Sequence, residues 1–116
     1  MHELSIAMNI VEIACEEARR QGDAHVEVVH LKVGALSGVV EDALLFAWDL
    51  ACQDTPIAGC RLTVEAVPVD VRCSACQSES TLAEPLDLRC PRCGEAATEV
   101  LRGTELAVTA LEIEDG

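Results

Sequence analysis

Four cysteines carry the clearest chemistry in this chain. They run Cys73-Ser-Ala-Cys76, then thirteen residues, then Cys90-Pro-Arg-Cys93-Gly94. A Cys-x-x-Cys pair places two sulfurs on one side of a tight turn. Two such turns facing each other put four thiolates at the corners of a tetrahedron, the arrangement a structural zinc site requires. Gly94 suits a left-handed residue just after the second pair, because it has no side chain to clash. Four sulfurs also close the coordination shell, whereas catalytic zinc keeps a position open beside three protein ligands. The spacing therefore points to structural Zn(II) held by Cys73, Cys76, Cys90 and Cys93. Two disulfides are the competing arrangement, and the odd count of seven cysteines argues against a fully disulfide-bonded chain.

A second group is Met1-His2-Glu3. The α-amine of Met1 with the deprotonated amide and imidazole of His2 can chelate one ion, and the carboxylate or amide of Glu3 can complete a set of four. Such a planar, nitrogen-rich set suits Ni(II) or Cu(II). A charged tripeptide at a chain end is also commonly a solvated tail, and the three residues alone leave both readings open. His25 and His30 have no ligand-like neighbours in sequence and read as structural or solvated. Glu41-Asp42 reads as the first turn of a helix. The sequence shows no Ser-His-Asp set, no phosphate loop and no convincing carboxylate pair, so it does not read as an enzyme.

Composition narrows the partners. The chain has 116 residues and a formal net charge of −13. A polyanion has no counterions to release from phosphates, which disfavours nucleic acid despite the zinc-ribbon spacing. No apolar run approaches the roughly 18 residues of a membrane span. The start lacks the basic and apolar stretches of a signal peptide, and the expected compartment is the cytoplasm, with Cys15, Cys52 and Cys60 as reduced, buried thiols. With one Phe, one Trp and no Tyr, the core must be aliphatic.

The elements that position these groups follow from periodicity. From Ser5, a candidate cap, Ala7, Ile10, Val11, Ala14 and Ala18 share one helical face, widened by Ile6 and Ile13, and Gly22 ends the helix. Val26 to Val33 reads as a strand whose alternation slips between Val28 and Val29. After a loop from Gly34 to Gly38, a second helix runs from about Val40 to about Gln53 with a stripe of Val40, Leu44, Trp48 and Cys52, and with Leu45 and Ala51 beside it. Cys60 to Val67 alternates cleanly as a strand, and Pro68 marks its end. The stretch between the cysteine pairs is too polar for a core of its own, so metal must hold it folded. A last strand carries Leu106, Val108, Leu111 and Ile113. The expected class is α+β: two helices packed on a three-stranded mixed sheet, residues 1–69 plus 104–116, with an inserted zinc-ribbon-like four-cysteine domain over 70–103.

In combination, Met1-His2-Glu3-Leu4-Ser5, Val33-Gly34-Ala35-Leu36-Ser37-Gly38-Val39, the two cysteine pairs and Glu105-Leu106 resemble the HypA/HybF family of hydrogenase nickel-incorporation accessory proteins, over essentially the whole length. The resemblance implies a small cytoplasmic metallochaperone, not an enzyme, that binds transported Ni(II) at Met1, His2 and Glu3. It implies structural Zn(II) at Cys73, Cys76, Cys90 and Cys93. It implies work with a GTPase accessory protein and docking on the [NiFe]-hydrogenase large-subunit precursor, or service to urease, as a monomer or homodimer. Some members place an acidic residue near the nickel early in the second helix; Val40 stands there in this chain, followed by Glu41 and Asp42. Some carry His beside the cysteine pairs, where this chain has Ser74, Ala75, Gln77, Arg92 and Gly94. Two other classes share part of the pattern. Cys90-Pro-Arg-Cys93-Gly94 resembles half of a rubredoxin-like electron-transfer site, though the aromatics usual around such a site are missing. A zinc-ribbon protein-interaction module shares the paired spacing.

Overall fold

The computed structural model of the chain describes residues 2–84, 87–97 and 99–114. Helix α1 spans His2–Arg20 and buries Ala7, Ile10, Val11, Ala14 and Ala18, the stripe expected from spacing. It begins earlier than expected, so Ser5 lies inside the helix and does not cap it. Ile13 does not widen the stripe, being 55% exposed. At 100° per residue it sits about 120° round from the stripe's centre. Cys15, about 80° off on the other side, is half-buried where full burial was expected. Arg19 and Arg20 fall in the last turn, where the helix dipole favours cations. Gly22, at φ +78°, ends the helix.

Strand β1 spans His25–Gly34. It buries Val26 and Val28, then changes phase and buries Val29, Leu31 and Val33, which is the slip the sequence showed. Helix α2, Glu41–Cys52, buries Leu44, Trp48, Ala51 and Cys52. Val40 is the residue before its first turn, in extended conformation and 58% exposed, so it stands outside the buried stripe, and Leu45 is exposed as well. The Trp48 indole N–H donates to the Cys60 carbonyl at 3.1 Å. The Thr55 hydroxyl donates to the Cys52 carbonyl at 2.6 Å and stops the helix. The remaining strands are β2 (Arg61–Val67), β3 (Asp70–Cys73), β4 (Ser78–Thr81), β5 (Glu99–Arg102) and β6 (Leu106–Glu114). They form two three-stranded sheets, ordered β2-β1-β6 and β4-β3-β5. None of the described helices is long and apolar enough to cross a membrane.

Contacts divide the chain into two compact units, the first from the described residues of Met1–Leu31, Val39–Glu65 and Val108–Gly116, the second from those of Lys32–Gly38 and Ala66–Ala107. In the first unit α1 packs on α2. His30 clips three strands together: its Nδ1 lies 2.5 Å from the Thr63 hydroxyl and its Nε2 lies 2.6 Å from the Glu112 carboxylate. Thr63 donating to Nδ1 and Nε2–H donating to Glu112 satisfies every partner. This is the structural role expected for His30.

In the second unit β3 pairs antiparallel with β4 and with β5. Val69, Val71 and Leu82 form its small core, flanked by Leu36 and Ala97. The segment between the cysteine pairs therefore contributes a core residue, Leu82, contrary to its polar composition. Asp70 ties the sheet across, accepting from Thr81 at 2.6 Å and pairing with Arg102 at 2.9 Å. The turn after β1 is fastened by backbone bonds, Gly34 N–H to the Glu105 carbonyl at 2.7 Å and Leu36 N–H to the Gly103 carbonyl at 2.6 Å. A Cβ at Gly34 would stand 2.1 Å from that Gly103 oxygen, so the approach requires glycine.

Candidate metal centres

The four cysteines of the pairs come together, their Sγ atoms all within 4.8 Å of one another. Cys73 and Cys93 are 3.6 Å apart, as are Cys76 and Cys90, so each turn faces the other crosswise. A tetrahedral ion with Zn–S bonds of about 2.3 Å separates its sulfurs by about 3.8 Å, so the cluster is of the size a zinc ion would fill. Cys73 and Cys90 are buried while Cys76 and Cys93 are exposed. The thiol of Cys90 is drawn down to about 6 by backbone N–H groups of Cys93 and Arg92 directed at the sulfur. The Ser78 hydroxyl, 2.9 Å from the Cys76 sulfur, lowers that thiol too. Against the Glu95 backbone N–H, which lowers it, burial and the neighbouring sulfurs of Cys73, Cys90 and Cys76 push the Cys93 thiol up to about 12, so Cys90 and Cys76 are the two drawn toward thiolate, the form that ligates metal.

The two turns are built alike. Gly94, after the second pair, takes the left-handed conformation at φ +80°, and its N–H returns to the Cys90 carbonyl at 2.9 Å. The residue in the same place after the first pair is Gln77, at φ +57°. Sequence reading found the first of these positions because it is glycine and missed the second because it is not.

At the other candidate centre, Met1 lies outside the described residues. His2 is the first residue of α1 and is exposed. Glu3 follows in the first turn, and its carboxylate accepts the Val40 N–H at 3.3 Å. That bond is the main reason Glu3 is held below its usual 4.5. The side chain of Glu3 therefore serves the start of α2, a contact across 37 residues that no local pattern announced. Glu41 and Asp42 occupy the first turn of α2, both exposed.

The family described as hydrogenase/urease nickel incorporation, metallochaperone, hypA matches residues 1–113. The hydrogenase maturation factor HypA of Roseiflexus is 50% identical over 99% of this chain and 94% of its own length. The hydrogenase maturation factor HybF of Klebsiella pneumoniae is 40% identical, over 97% of this chain and 98% of its own. In fold, the solution structure of the nickel metallochaperone HypA from Helicobacter pylori superposes with a TM-score of 0.64 at 19% identity, covering 96% of each chain. A match that runs from the first helix through both cysteine turns to the last strand, with relatives at half identity, makes this chain a member of the HypA family of hydrogenase nickel-incorporation metallochaperones.

Proposed function

We propose that the chain binds Ni(II) through the Met1 α-amine, the amide and imidazole nitrogens of His2 and the amide nitrogen of Glu3, and carries it to the [NiFe]-hydrogenase large-subunit precursor in the cytoplasm, with a GTPase accessory protein as its co-worker. The observation that supports this most is that α1 begins at His2. The first N–H groups of a helix have no intrahelical acceptor. The amides of His2 and Glu3 can therefore give up their protons to an ion without breaking a helical bond. Two such anionic nitrogens cancel the charge of a divalent cation, so the positive end of the helix dipole does not oppose binding. The bond from Val40 to the Glu3 carboxylate favours the Glu3 amide, rather than its side chain, as the fourth donor.

In this reading Cys73, Cys76, Cys90 and Cys93 hold Zn(II), which supplies rigidity that a cluster as small as Val69, Val71 and Leu82 cannot. The unit that carries α1 and α2 is the nickel-binding part, and the unit that carries the four cysteines is the zinc-binding part. Urease remains the second target class, since the matched family is described for both enzymes.

Untagged protein equilibrated with nickel and examined by X-ray absorption tests the proposal. Nitrogen-rich, planar coordination is expected, lost when a peptide precedes Met1, with zinc content unchanged. Oxygen-bound or hydrated nickel in the untagged protein would overturn it.

A further inference from the structure

The outer face of α2 carries large apolar side chains among its acids, where a solvated helix would be polar throughout. Phe46, the chain's one phenylalanine, is 90% exposed, and Leu50, one turn on, is 60% exposed. Residues four apart share a helix face, so the two form one ridge. Single exposed apolar residues are ordinary, but a ridge crowned by an aromatic ring is the usual character of a binding anchor. Asp42 and Asp49 lie three or four residues from Phe46 on the same exposed side, Glu41 stands beside them, and α2 contains no Lys or Arg. The ridge is thus apolar at Phe46 and Leu50 and negative at one end and along one side, where Asp42 and Asp49 lie.

That charge pattern selects the occupant. A second copy of the chain would bring Asp42 and Asp49 against their own equivalents, on top of a net charge of −13 per copy, and like charges across an interface disfavour pairing. An anionic lipid surface is repelled for the same reason. We infer that the Phe46–Leu50 ridge of α2 docks an amphipathic helix of a partner protein, one whose apolar residues recur at three- and four-residue spacing and are flanked by Lys or Arg. This adds a protein-docking surface to the carrier reading, on which it rests for its purpose but not for its test, since no metal takes part.

The test uses the untagged, zinc-loaded chain, isotope-labelled for NMR, and a synthetic amphipathic Leu/Lys helical peptide, with a Leu/Glu peptide of the same pattern as control. The Leu/Lys peptide is expected to shift amides concentrated in Glu41–Gln53, and the Leu/Glu peptide to shift none. Phe46→Asp separates anchoring from plain charge attraction. It removes the ring yet adds a negative charge, so docking on the ridge predicts affinity at least about tenfold weaker, whereas attraction of a cation to a polyanion predicts affinity equal or tighter. Because Phe46 is exposed, the melting temperature should be unchanged, so a loss of affinity is not a loss of fold. Undiminished binding by Phe46→Asp, or shifts spread evenly over the acidic surface, overturns the inference. So does self-association through α2 in sedimentation, or binding to phosphatidylserine vesicles that Phe46→Asp abolishes. Nickel uptake measured on the same samples keeps the two readings apart: wild-type protein that docks the peptide but takes up no nickel would sink the carrier reading alone.

Discussion

The carboxylate of Glu3 and the backbone N–H of Val40 join the starts of the two helices, 3.3 Å apart. The bond lowers the pKa of Glu3 in the folded chain from its usual 4.5. A lowered folded value means that the carboxylate contributes stability fully above the unfolded value and loses it as pH falls through the folded one. Glu3→Ala should therefore lower the urea midpoint at neutral pH, and the gap from wild type should close as the solution is acidified below 4.5. The same variant should keep nickel affinity within a few-fold, while His2→Ala loses orders of magnitude. Equal losses for the two would assign the Glu3 side chain, rather than its amide, to the metal.

Zinc removal should act on one unit only. Chelation, or Cys90→Ser, is expected to release the amide protection of β3, β4 and β5 while α1 and α2 stay protected in hydrogen exchange. Uniform loss of protection would show that the two units fold as one.

Gln77 holds a left-handed conformation that its counterpart Gly94 holds without strain. For a residue with a Cβ that conformation costs about 1–2 kcal/mol, partly offset by the greater freedom of glycine in the unfolded chain. Gln77→Gly should therefore raise stability by about 0.5–1 kcal/mol and slow zinc loss to a chelator. A destabilised variant in thermal melts would contradict this.

Gly34→Ala should do the opposite. Its methyl group would stand 2.1 Å from the Gly103 oxygen and 2.7 Å from the Glu105 nitrogen, both backbone atoms with nowhere to go. A loss of about 3 kcal/mol or more is expected, read as a fall in the denaturant midpoint.

Periodicity exposed the inner face of α1 and the phase slip in β1, because burial repeats with backbone geometry. It located the zinc cluster because four cysteines at that spacing have one economical arrangement. It overreached at Ile13 and Val40, which are apolar but lie outside the buried faces, since hydrophobicity reports a preference and not a position. It placed the start of α1 too late, reading Ser5 as a cap when helical geometry already holds at His2. The contacts that matter most around the start of α1 and His30 were invisible. Glu3 meets Val40, and His30 meets Thr63 and Glu112, only because distant elements are brought side by side. Lys32–Gly38 likewise joins the cysteine-bearing unit through backbone bonds to Gly103 and Glu105, which carry no side-chain signature.

Trp48, buried and anchored by its indole N–H to Cys60, lies in the first unit, and the second unit has no aromatic residue at all. The protein's ultraviolet emission is therefore a private gauge of one half of the molecule. Stripping the metal should dim far-ultraviolet ellipticity while the emission maximum holds still, and an experimenter who followed fluorescence alone would record an intact protein whose ribbon had already come apart.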